Sequence, residues 1–196
     1  MTVIKDGTGT GYLARVNLDN LLESHAIITE EYVDESISHG GAYRILGTTT
    51  ITAATEKTVL IIINETDKLL AIERIQTSIQ GESGKPVTIR IYIGSATVTA
   101  GGSVLTPINV NVTSVNVLDV TATQNNPTIG GTDEKILEIF MENTSVDREL
   151  INGGIALGRN NSIRVTCQGF ALATGTFNCN THILVWDIST TLHDLE

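Results

Sequence analysis

Aromatic side chains are scarce in this chain. They make up 4% of its residues, with one Trp, three Phe and four Tyr. Tyr12, Tyr32, Tyr43, Tyr92 and Trp186 are scattered rather than clustered, which counts against a sandwich that stacks sugars on aromatic platforms. Basic residues are outnumbered, 12 Lys and Arg against 22 Asp and Glu, for a net charge of -10. Such a chain repels phosphate backbones, so nucleic acid is not an expected partner. Two cysteines, Cys167 and Cys179, are too few for a structural zinc site, which usually takes four N or S ligands at tight spacing. The longest apolar run, Val59-Leu60-Ile61-Ile62-Ile63, falls far short of the roughly 18 residues needed to cross a bilayer. It reads as a buried strand. Lys5 and Asp6 follow the first apolar residues directly, so no secretory h-region is read there. The expectation is a protein made in the cytosol with no membrane contact.

Catalytic patterns are missing as well. Gly7, Gly9 and Gly11 alternate near the start, but no Gly-Lys follows and a strand, not a helix, comes next. That excludes a phosphate-cradling loop. His25, His39, His182 and His193 stand in no metal pattern. No nucleophile elbow and no Ser-His-Asp or Cys-His grouping is legible. The expectation is no enzyme, no cofactor, no metal and no catalytic residue.

What the chain has is Ile, Val, Leu and Ala beside abundant Thr and Asn, plus 18 glycines. Branched residues and Thr favour strands, and Asn and Gly favour turns. Val87 to Ile93 alternates strictly, as a half-buried strand does. Further strands read at Tyr43–Leu46, Thr48–Thr52, Thr58–Asn64, Leu69–Ile79, Val117–Thr123, Ile136–Met141 and Ser162–Cys167, with a closing strand from Asn180 to Ile188. Asp133-Glu134-Lys135 could instead open a short helix. The last two strands read as a hairpin with its tip near Ala173. In that register Val165 opposes Thr181, Ile163 opposes Ile183, and His182 lies beside Arg164. The two cysteines would face each other across it. A disulfide is then geometrically possible, while a cytosolic origin argues for two reduced, buried thiols.

Residues 1–40 read as a separate N-terminal arm and residues 41–196 as the sandwich. The arm holds the Gly/Thr segment, a short strand around Tyr12 to Val16, and a helix from about Glu30 to Ser38. Thr29 would cap that helix, acids in its first turn suit its dipole, and Gly40-Gly41 would stop it. Its carboxylates Glu30, Glu31, Asp34 and Glu35 form either a solvated face or a contact for a basic partner surface. The glycines serve either a loosely docked tail or an arm that fits a neighbour's groove.

Three blocks together resemble a group of tailed-phage virion structural proteins that includes head decoration, or cement, proteins. They are Asp6-Gly7-Thr8-Gly9-Thr10-Gly11-Tyr12-Leu13-Ala14-Arg15-Val16-Asn17 with Leu21, then Leu105-Thr106-Pro107-Ile108-Asn109-Val110-Asn111 with Ser114 and Asn116, then Gly154-Ile155-Ala156-Leu157-Gly158-Arg159-Asn160-Asn161-Ser162-Ile163. Each block is short. The resemblance implies a mainly β chain: a jelly-roll-like antiparallel β-sandwich preceded by an N-terminal arm with a short helix. It implies docking on the outer head surface of a virion, with the major capsid protein and copies of itself as partners, as a homotrimer. It carries over no catalytic residue. The contact residues expected are Ile4, Tyr12, Leu13, Val16, Leu21 and Leu22, with Glu30, Glu31, Asp34 and Glu35 as polar partners. The other readings are a neck, tail or fibre-attachment component, and a receptor- or carbohydrate-binding sandwich.

Overall fold

The computed structural model describes residues 3–5, 13–15, 40–52, 54–81, 86–141, 148–169 and 177–187. Among them the regular structure is strand throughout. β1 (Val3–Lys5) and β2 (Leu13–Arg15) pair with each other antiparallel, so the Gly/Thr run connects two strands rather than merely preceding one. The helix expected at 30–38 lies outside the described residues.

The remaining strands build two facing antiparallel sheets. One has six strands in the order β12 (Asp133–Met141), β6 (Val87–Gly94), β14 (Ser162–Gly169), β4 (Lys57–Asn64), β10 (Val120–Gln124) and β8 (Ser103–Leu105). The other has five, in the order β13 (Arg148–Leu157), β5 (Leu70–Gly81), β15 (Phe177–Asp187), β3 (Ala42–Ile51) and β9 (Ile108–Asn109). A ribbon of β7 (Thr97–Ala100) and β11 (Thr128–Gly130) forms a further small sheet. The expected β-sandwich is therefore present, and its two inner faces close on one core.

Alternation explains which residues fill that core. β3 turns Tyr43, Ile45, Thr49 and Ile51 inward and Arg44, Leu46, Thr48 and Thr50 outward. Gly47 takes an inward place because a Cβ there would stand 2.8 Å from the Leu60 Cβ of the facing sheet. The run at Val59–Ile63 does not alternate because both of its faces are covered. Leu60 and Ile62 enter the main core, while Ile61 and Ile63 pack with Ala96 beneath Val98 and Ile129 of the ribbon. A strand buried on both faces reads as a continuous apolar run.

The structure overturns the closing hairpin. β14 and β15 belong to different sheets: Val165 opposes Leu60 and Ile91, and Ile183 opposes Ile45 and Ile75. Cys167 and Cys179 come from opposite layers, both free and both buried. They meet through a thiol–thiol hydrogen bond that, together with burial, pushes Cys179 well above the usual thiol pKa. Two smaller corrections concern continuity. The two segments read from Tyr43 to Thr52 are one strand, and Asp133-Glu134-Lys135 opens β12 rather than a helix.

Candidate functional site

Large exposed apolar side chains are concentrated in one place. Of the ten such residues among those described, six fall between Val104 and Val117. Val104 is 82% exposed, Val112 94%, Val115 92% and Val117 77%, with Ile108 and Val110 exposed to a lesser degree. Residues 91–118 contain no Asp, Glu, Lys or Arg. Singly exposed valines need no explanation, whereas a cluster of them marks a surface that something covers.

This apolar surface sits on a braced loop. After β8 the chain crosses from the edge of the six-stranded sheet to the edge of the five-stranded one, where β9 pairs with Tyr43 and Arg44. The Asn109 side chain donates to the carbonyls of Gly40 (2.9 Å) and Asn116 (3.2 Å) and accepts from the Asn111 N–H (2.9 Å). Asn111 in turn accepts from the N–H and hydroxyl of Thr113, at 3.0 and 2.7 Å. The Ser114 hydroxyl accepts from the Asn116 N–H at 3.1 Å. These are Asx- and Ser-type turns, with side chains standing in for backbone partners. Gly40, at φ +72°, leaves no room for a side chain, since a Cβ would collide with Ser114. The Pro-x-Asn-x-Asn block is thus the frame that holds the valines out, and it abuts the point where the chain enters the sandwich.

An open groove of about 480 Å³ lies on the six-stranded side of the same edge. Ile63, Val98 and Val104 give it an apolar lining, Thr121 and Thr123 a polar wall, and Glu65 a charge at its rim.

The outer faces of the two sheets differ in character. On the six-stranded sheet, Arg90 bonds to Glu138 (2.7 Å), Gln168 (2.8 Å) and Glu56 (3.1 Å). Tyr92 and Thr166 both donate to Glu56. Arg164 pairs with Asp133 at 2.6 Å and stacks 4.3 Å above the Tyr92 ring. Burial opposes the Arg90 charge, yet its bond to Glu138 and the nearby Glu56 charge outweigh it and raise its pKa. Burial, then Glu56, raises Tyr92. The Lys135 and Arg90 hydrogen bonds hold Glu138 below the usual carboxylate range. Each of these ionic groups is matched, which suits a structural lattice on the sheet. On the five-stranded sheet Arg44 reaches His182 Nδ1 at 2.6 Å, in a shallow hollow with Arg74 and Gln76. His182 therefore stands beside Arg44, not Arg164, because its strand lies in the other layer.

Of the ten contact residues expected from sequence, Ile4 lies on β1 opposite Ala14, and Leu13 lies on β2 opposite Lys5. Tyr12, Val16, Leu21, Leu22, Glu30, Glu31, Asp34 and Glu35 fall outside the described residues. The exposed valine loop was not singled out from the sequence, although its uncharged run was visible there. Among the described residues no three His, Cys, Asp or Glu are grouped to hold a metal, and no helix is long and apolar enough to cross a membrane.

The third block also has a structural task. Asn160 adopts φ 61° and donates its N–H to the Asn64 carbonyl at 2.6 Å, and Asn161 closes on Gly158. That turn reverses the chain between β13 and β14.

No family model matches the chain, and no curated protein matches it. Three solved structures are similar to parts of it. A chain in the structure of the infectious bursal disease virus Gx strain shares 11% identity and a TM-score of 0.27, covering 75% of this chain and 32% of its own length. A chain of the T13 viral particle of the same virus shares 8% identity and a TM-score of 0.28, covering 75% and 35%. A chain of its T=1 particles shares 10% identity and a TM-score of 0.24, covering 74% and 35%. This chain spans about a third of the length of each of those chains. Likeness at this level says nothing of what the chain does.

Proposed function

We propose that the protein is a virion structural subunit that acts by contact, and specifically a decoration protein of a tailed-phage head. The observation that carries this reading is the braced, uncharged valine loop. A chain that holds this much apolar surface rigidly in water is built to be covered by protein. The same segment is the second of the three blocks that resemble the virion proteins. The arm, residues 1–40, would dock on the major capsid protein through Ile4, Tyr12, Leu13, Val16, Leu21 and Leu22, with Glu30, Glu31, Asp34 and Glu35 meeting basic groups of the shell. The acidic balance suits the outer surface, away from packaged DNA. Each copy adds buried area between neighbouring capsid subunits, and many copies together multiply a modest affinity.

The test is binding of purified protein to emptied heads, read by co-sedimentation and by counting copies per particle. Hundreds of copies support a shell lattice, whereas a dozen or fewer would move the site to the neck or tail. Deleting residues 1–22 should abolish binding, and unchanged binding would sink the role of the arm.

A further inference from the structure

We infer that the valine loop is covered by a second copy of this chain, seated head to tail in the groove beside Val104. The inference rests on the reading of the chain as an assembly subunit.

Charge selects the occupant. Copies carrying a net charge of -10 repel one another over most of their surface. Residues 91–118 are the long stretch where no charge opposes approach. They supply the exposed valines and also much of the groove, through Ser95, Thr97, Val98, Gly101 and Val104, which leaves Glu65 as the one charge on its rim among the described residues. The chain's own arm is a poorer cover. Residues 16–39 carry Asp19, Glu23, Glu30, Glu31, Asp34 and Glu35 with no Lys or Arg among them, and laying that segment on the valines would desolvate carboxylates against apolar surface.

Geometry selects the mode. Val112 and Val115 project from the loop beside the five-stranded edge, while the groove opens on the six-stranded side. Knob and groove are different surfaces of one copy, so pairing one with the other is heterologous, giving a ring where the rotation between copies closes and a filament where it does not. Full burial of a Val or Ile side chain represents roughly 60–120 Å², so the five exposed side chains from Ile108 to Val117 offer on the order of 300 Å² at their observed exposures, with Val104 on the groove's side of the contact. That is somewhat under half of the ~800 Å² per partner in a standard interface. The contact lies at the small end of specific interfaces, and closure of a ring would reinforce it. The loop's own hydrogen bonds fix it beforehand, so little ordering is needed on contact.

The experiment uses the full chain in sedimentation equilibrium over a range of concentrations. Wild type should self-associate. Val112→Asp and Val104→Lys change side chains that are 94% and 82% exposed, so each should fold normally by circular dichroism. Each alone should weaken association by at least about thirty-fold, the size expected for a central contact. The two together in one chain should restore it, because every head-to-tail contact then sets an Asp beside a Lys. Four results would overturn the inference: a monomeric wild type, single variants that associate like wild type, no restoration in the double variant, or loss of association on deleting residues 1–39. Head binding is read separately. Its failure with the oligomer intact would refute the decoration role and leave this contact standing.

Discussion

Asn64 is fully buried at the end of β4, and each hydrogen-bonding position of its side chain is used. Its amide donates to the carbonyls of Lys68 (2.7 Å) and Leu157 (2.9 Å), and its oxygen accepts from the N–H (3.0 Å) and hydroxyl (2.8 Å) of Thr66. Its backbone holds the Asn160–Asn161 turn, with Asn64 N–H donating to Asn161 O at 2.9 Å. One residue therefore ties β4, the turn into β5, the end of β13 and the turn of the third block. Asn64→Ala deletes four bonds worth a net 0.5–1.5 kcal/mol each at typical values, among them the buried one to the Leu157 carbonyl. The Thr66 groups can turn to water, so the expected loss is about 2–4 kcal/mol, a large share of a typical 5–15 kcal/mol stability. Asn64→Asp keeps the shape but points an oxygen at two carbonyls. Burial and that repulsion raise the new carboxyl's folded pKa above its unfolded value. A raised pKa means stability that is fully present below the unfolded pKa and lost as pH rises through the folded one. The deficit of Asn64→Asp against wild type should thus be largest at neutral pH and shrink on acidification, whereas that of Asn64→Ala should not. Urea unfolding followed by circular dichroism at neutral and mildly acidic pH measures both. A loss under about 1 kcal/mol for Asn64→Ala at unchanged m-value would refute the reasoning, as would an Asn64→Asp deficit that ignores pH.

Glu138 has a lowered pKa, so its stabilisation is present above the unfolded carboxylate value and lost as pH falls through the folded one. Glu138→Gln should be modestly less stable than wild type at neutral pH, and the two should converge in acid; unfolding midpoints that stay apart would count against the Lys135 and Arg90 contacts. Cys167 and Cys179 should react very slowly with iodoacetamide in the folded protein and both react promptly in denaturant, because each is buried and Cys179 is held as the thiol. Fast labelling of the native chain, followed by mass spectrometry, would show that the two layers do not close over them.

Strand positions were legible in the sequence because alternation is local. The phase of Ser162–Cys167 marked Ile163, Val165 and Cys167 for the core, and they are there. Which sheet a strand joins is not local. Ile183, Val185 and Cys179 are buried equally well whether β15 pairs with β14 or faces it across the core, so the apolar pattern fits both arrangements. Proximity in sequence favoured the hairpin, but β14 is already paired on both sides, by β4 and β6. For a different reason the valine loop was not singled out, since its pattern is compatible with two structures. Ile108, Val110 and Val112 alternate with asparagines as in a half-buried strand, yet the regular pairing stops at Asn109. Asn109 and Asn111 spend their side-chain oxygens on the backbone N–H groups of Asn111 and Thr113 that a ladder would have used. A strand pattern whose polar members are asparagines can therefore close on itself as a turn. The apolar members beyond Asn109 are then left in water outside the sheet, and what looks like half a core strand becomes an exposed apolar surface.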